Sequence, residues 1–252
     1  MKVAVADYYY EKVELPSRGR FYENLKEVHL RPMTGVEQDI LTTERLIKEG
    51  KALDMVLSNC LREKVDIEEL LVADYMYLLF KLRVLTYGDE YRFEMKCPQC
   101  GAINDVEIVL NVEEGVREGD IESEPVEVPL PNGLAMIVLP RVKHQKAVEK
   151  NSKIVGAKVQ KLISETETLF LNEIILDLKL SYIKDDIPKK EKVKLMLAKD
   201  RVAIKKFLIE HAPSFAPVFP FECGHCGYTK ELDVPITCLL YTSDAADERS
   251  SV

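Results

Sequence analysis

Six cysteines are spread over 252 residues, and four of them fall in two copies of one motif. Cys97-Pro98-Gln99-Cys100-Gly101 and Cys223-Gly224-His225-Cys226-Gly227 are Cys-x-x-Cys-Gly knuckles, with 122 residues between Cys100 and Cys223. Two such pairs are the ligand set of a tetrahedral structural zinc site. Cys97, Cys100, Cys223 and Cys226 are therefore the candidate metal ligands, and one structural Zn2+ per chain is the expected cofactor. With four protein ligands, no coordination position remains for a substrate or water, so the site is structural. A lone Cys-x-x-Cys could equally be a redox dithiol or an unmetallated pair of thiols; two with matching flanks favour zinc. The glycine after each second cysteine permits the positive φ that a tight thiolate-lined turn needs. His225 lies inside a knuckle, where intervening residues point away from the metal, and is expected to be a bystander. Cys60 reads as a small buried residue of a helix.

Strands must carry these knuckles. Residues 90–96 and 218–222 read as strands leading in, and 104–110 and 228–234 as alternating strands leading out, with Val106, Ile108 and Leu110 on one face and Leu232 and Val234 on the other hairpin. The expected fold is α+β: a zinc-ribbon-like pair of β-hairpins (residues 89–112 and 216–237) split by a mainly helical insertion, after an N-terminal mainly helical region (1–88). Pairing the knuckles requires the insertion to begin and end close in space.

In the N-terminal region, 15–22 reads as a turn-rich entry and 28–31 as a short strand. Thr34-x-x-Glu37 is a capping box opening a helix to about Lys48, with Gly50 as its stop. A short helix covers 52–62. Asp66, with Glu69 in the capping-box position, is expected to open a longer helix ending at Gly88, with Ile67, Leu70, Leu71, Tyr75, Leu78, Leu82 and Leu85 at core spacing. Residues 113–142 are expected to form an acidic solvated linker and then a hairpin through Pro131-Asn132-Gly133. Across 143–215 the pattern predicts helices over 143–163, with Val148, Ile154, Val155, Val159, Leu162 and Ile163 on one face, and over 166–178. Two more follow, one entered at Pro188 and running to about Lys199, and one capped by Asp200 and ending near His211. Lys189–Lys194 reads as a charged helix face. Residues 238–252 (CLLYTSDAADERSSV) read as the translation of a sequencing-library adapter and are set aside from the fold, leaving a chain to about Thr237.

The composition, 46% hydrophobic and 31% charged, is that of ordinary globular material, and about 237 residues suffice for a substantial core. No secretory leader or membrane-length apolar run is read in the sequence. Cysteine spacing of the metal type fits a reducing compartment. The net charge of −8 argues against broad nucleic-acid binding. No phosphate-binding loop, HExxH, GxSxG or dinucleotide fingerprint is present, and His29, His144, His211 and His225 are scattered. No catalytic residue is assigned. The Tyr8-Tyr9-Tyr10 cluster is a candidate partner anchor.

The runs LPSRGRFY (15–22), VHLRPMTGVEQDIL (28–41), LRVLTYGDEYRFEMKCPQCG (82–101) and FPFECGHCGY (219–228) resemble the baseplate proteins of T-even-type contractile-tailed bacteriophages, the hub subunits and hub assembly proteins. The resemblance implies a structural or assembly role without catalysis, with other phage baseplate and hub proteins as partners. It places the protein in the virion tail baseplate, or in the host cytoplasm during assembly, with neither nucleic acid nor membrane as a partner. By matching positions it also implies the four knuckle cysteines as the metal site. A zinc-ribbon nucleic-acid-binding or transcription-associated protein is the alternative, and a thiol oxidoreductase a third reading.

Overall fold

The computed structural model describes residues 8–241 apart from 24, 26, 155–158 and 233–235; the side chains of 151–165, 237, 238 and 241 are also outside the description. In chain order, β1 (Glu11–Val13) pairs antiparallel with β2 (Val28–Leu30), and α1 (Gly35–Thr42), α2 (Glu44–Lys48), α3 (Ala52–Cys60) and α4 (Val72–Tyr87) follow. A first hairpin, β3 (Glu90–Lys96) and β4 (Ile103–Val109), precedes the short β5 (Val116–Arg117). Then come β6 (Val126–Leu130), β7 (Gly133–Ile137), α5 (Val142–Ile154), α6 (Val159–Ile174), β8 (Ile175–Leu180), α7 (Lys189–Leu195) and α8 (Ala198–His211). The chain closes with β9 (Ser214–Phe215), a second hairpin of β10 (Phe219–Glu222) and β11 (Thr229–Leu232), and α9 (Ile236–Tyr241). The fold is α+β with small antiparallel sheets.

α4 is the hub of the larger core. Tyr75, Tyr77, Leu78, Leu79, Phe80 and Leu82 are all buried, so this helix is covered on nearly every side. The inward residues of both hairpins, Tyr91, Val106, Ile108, Phe219, Phe221 and Leu232, belong to the same core, as do Leu239 and Leu240 of α9. Those two leucines stand in the segment read as a translated adapter; residues 242–252 lie outside the described residues.

The runs 15–22 and 28–41 are anchored in the core, although Arg18 and Val36 are exposed. Ser17 donates its backbone N–H to Asp74 Oδ1 (2.9 Å), and Tyr22 donates its hydroxyl to Oδ2 (2.6 Å) while accepting the Leu71 N–H (2.8 Å). Asp74, in the first turn of α4, is fully buried, and burial raises its carboxyl despite these donors. Likewise Arg31 holds Glu37 through two bonds of 3.1 Å. Thr34 donates its N–H to Glu37 (2.8 Å) and accepts that of Val36, completing the capping box.

Several boundaries differ from expectation, each for a local reason. The single helix expected to reach Lys48 is broken at Thr43, whose backbone is extended (ψ 101°) and whose hydroxyl, like that of Thr42, bonds back to the Asp39 carbonyl. Such backbone bonding by hydroxyls competes with helix continuation. The helix expected from Asp66 starts later. Asp66 caps only a 3-10 turn (Ile67–Glu69), because Leu70 and Leu71 run extended and bond the segment before α5: Val142 N–H to Leu70 O (3.0 Å) and Val72 N–H to Pro140 O (3.0 Å). Glu69 is no capping-box residue; it meets Lys143 instead (2.6 Å).

The acid-rich segment after the first hairpin keeps most of its carboxylates in solvent, but its backbone is tied down rather than free. β5 pairs with β9 (Val116 with Phe215, Arg117 with Ser214), and Ile121 is buried. Glu113 pairs with Lys81, Glu118 with Arg18, Glu122 with Arg20, and Glu124 with Arg141. The β5–β9 pairing brings the start and finish of the insertion together, as the knuckle pairing requires.

Within the insertion, the expected hairpin forms as β6 and β7, and β8 adds a third strand where a helix over 166–178 was expected. α6 stops at Ile174. Lys189 reaches the carbonyls of Asn172 (2.8 Å) and Ile175 (2.6 Å), satisfying the helix end, and Ile175, Leu178 and Leu180 are buried in the second core. α7 ends at Leu195 rather than near Lys199, as Met196 and Leu197 are extended. Asp200 does not cap α8. It is fully buried in its first turn, accepting from the Asn132 N–H, the Asn132 amide and the Tyr182 hydroxyl at 2.9–3.1 Å. Val148 is buried, whereas Ile154, Val155, Val159, Leu162 and Ile163 fall outside the described side chains.

Candidate metal centre

Strand alternation builds the site. In β3–β4, Lys96 stands opposite Ile103 at the tip, and in β10–β11, Glu222 stands opposite Thr229, so each hairpin opens into its knuckle at the same register. Backbone bonding in the two knuckles is equivalent. Cys97 N–H donates to Ala102 O (2.8 Å) and Gly101 N–H to Cys97 O (2.9 Å); Cys223 N–H donates to Tyr228 O (2.8 Å) and Gly227 N–H to Cys223 O (2.9 Å). Gly101 and Gly227 take φ of 75° and 69°, which residues with a Cβ rarely adopt.

The knuckles face each other. Cys97 Sγ lies 3.8 Å from Cys226 Sγ and Cys100 Sγ 3.7 Å from Cys223 Sγ, and all four sulfurs fall within 4.8 Å of one another. Cys97 and Cys223 are buried at the core side, and Cys100 and Cys226 are exposed. A tetrahedron of thiolates about 2.3 Å from a zinc ion has sulfur–sulfur edges of about 3.8 Å, so the donor set fits such an ion in both chemistry and spacing.

Electrostatics points the same way. Burial alone would raise the Cys223 thiol, yet the backbone N–H groups of His225 and Cys226, with the nearby sulfurs of Cys226 and Cys97, lower it. For Cys226 the Tyr228 amide lowers the thiol, but desolvation and the facing sulfurs of Cys100, Cys223 and Cys97 outweigh that and raise it. Neighbouring thiols thus resist joint ionisation, and a bound cation is what would allow four thiolates to share one site.

Sequence reasoning missed Asn104. Its side-chain oxygen accepts the Gly224 N–H (3.0 Å) and its amide donates to Ala102 O (3.0 Å), bridging the first hairpin to the second knuckle. An Asn on a half-exposed strand offers no signal of this in the sequence. The other singled-out residues lie elsewhere. His225 is exposed and outside the sulfur cluster. Cys60 is buried, and burial pushes its thiol up to about 12 against the opposing charge of Arg31. His29 bonds Glu63 and His211 bonds Asp120. Tyr8 lies under the Arg31 guanidinium (4.9 Å) and Tyr10 beside that of Arg62, while Tyr9 is 78% exposed.

Fold and site together define a class: an α+β chain whose first and last hairpins are drawn together by four cysteines able to hold a metal ion. Residues 8–236 match the family described as T4 bacteriophage base plate protein, and the chain belongs to that family. It is thus a T4-type phage baseplate protein, of a structural family. No curated protein and no solved structure gave a significant match. Among the described residues no helix is long and apolar enough to cross a membrane.

Proposed function

We propose that the protein is a non-enzymatic structural or assembly component of the phage tail baseplate hub, held in shape by one structural zinc ion. Cys97, Cys100, Cys223 and Cys226 would hold the ion, and the hairpins of 89–112 and 216–237 would form a split, ribbon-like unit around it. When bound, zinc supplies neutralising charge and a rigid cross-link; four thiolates leave it no open position for chemistry. The observation that carries this reading is the pairing of two equivalent knuckles at tetrahedral sulfur spacing, in a chain that matches a baseplate family over 8–236. Partners are then other baseplate and hub proteins, and the location is the virion tail, or the host cytoplasm during assembly.

Quantitative mass spectrometry of purified particles, baseplate intermediates and infected-cell lysate tests the role. Retention in particles identifies a virion part, and presence only in intermediates an assembly factor. Absence from both contradicts the proposal.

A further inference from the structure

The outer face of α8 is unlike the rest of this acidic chain. Val202 and Ile209 are 59% and 68% exposed. Two helical turns separate them, about 10.5 Å along the axis. Lys199, Lys205 and Lys206 share this exposed side. The exposed charges of α8 itself are Lys199, Lys205 and Lys206 against the single acid Glu210. Ile209 also forms the rim of a trough of about 400 Å³ walled by Val72, Met76, Leu208 and Phe215. Arg117 lies in the same wall. Its guanidinium donates to Ser214 Oγ and to the carbonyls of Glu210 and Ala212, and its charge also acts on the nearby Asp120 carboxylate.

We propose that this face and trough dock an acidic amphipathic helix of another protein, its apolar side chains entering the trough and its carboxylates meeting the lysines and Arg117. Charge complementarity selects the occupant. Lys205 pairs with the half-buried Glu167 (3.0 Å) and Lys206 with the exposed Glu210 (3.6 Å), and pairs this near the surface are weak enough to be exchanged. A phosphate backbone would use the cations but gain nothing from Val202 and Ile209, whereas an amphipathic helix buries them. Anchors two turns apart are also the spacing of helix-in-groove recognition. The inference goes beyond the hub reading and does not depend on the metal.

The test is an NMR titration of the full-length protein at low salt with a synthetic helix of Leu and Glu heptads. A Leu–Lys helix and a short DNA duplex serve as comparators. Shifts confined to Met76, Val202, Lys206 and Ile209 are expected, with binding weakened about tenfold by Ile209→Asp or by Lys205→Glu with Lys206→Glu. Both changes are at exposed positions, and unchanged thermal midpoints would show that the variants fold. No shift on α8, equal shifts with the Leu–Lys helix, or preferential binding of DNA there would overturn the proposal.

Discussion

Glu37 shows how one buried carboxylate organises the N-terminal region. Burial alone would raise it, but Arg31 and the Thr34 donors outweigh that and hold its carboxyl at about 2. A carboxyl lowered on folding stabilises the fold above its ordinary range, near pH 4.5, and that contribution is lost as pH falls toward about 2. Glu37→Gln should therefore destabilise the protein at neutral pH by about 3 kcal/mol, since it leaves Arg31 buried without its partner. It should also flatten the decline between about pH 4.5 and the lowest accessible pH, as read from urea midpoints. An unchanged acid limb would show that Glu37 does not carry it. At the knuckles, Asn104→Ala should weaken metal binding by about tenfold, because groups that orient a ligand turn contribute at that scale. Competition with a chromophoric chelator reads this directly, and unaltered affinity would reduce Asn104 to a surface residue. The four cysteines and the Thr34 box were legible in sequence because their spacing is the chemistry. Asp74, Asp200 and Asn104 were not, because their partners lie 18 to 120 residues away in the chain or are backbone groups that any residue supplies.

At the scale of elements, what could be read depended on whether the deciding contact is local. Strands 90–96, 103–109, 126–130 and 133–137 follow from alternation and an Asn-Gly turn, both short-range signals. The apolar run out of α6 predicts helix as far as Leu178, and only pairing with β7 makes Ile175–Leu180 a strand. α4 begins late for the same kind of reason: Leu70 and Leu71 are held extended by bonds to the segment before α5, which no helical period can reveal. The acid-rich segment offers a sharp test of packing against solvation. Gly119 has φ 69°, and a Cβ there would stand 2.3 Å from the His211 carbonyl oxygen and 2.7 Å from Pro213 N. Gly119→Ala should cost about 3 kcal/mol or more. Gly50→Ala, at φ 68° but in open space, should cost only about 1 kcal/mol. Equal, small losses in urea unfolding would restore the linker reading.

At the scale of the molecule, two devices join the two ends of the long insertion. The β5–β9 pair closes the insertion, with Phe215 edge-on to Tyr77 and Phe80 of α4 at 5.4 and 5.1 Å. Beyond it the knuckles meet, and their buried sulfurs belong to the same core as α4. A metal held there would add its binding energy to folding and tie segments 122 residues apart, which suits a part that must keep its shape within an assembly. On this reading both knuckles share one ion. Elemental mass spectrometry of the purified protein, alongside Cys100→Ser and Cys226→Ser, tests it most directly, because both substitutions are at exposed cysteines and spare the core. One zinc per chain is expected, lost alike when either knuckle is broken. Folded protein without zinc, or zinc that survives loss of one knuckle, would contradict it.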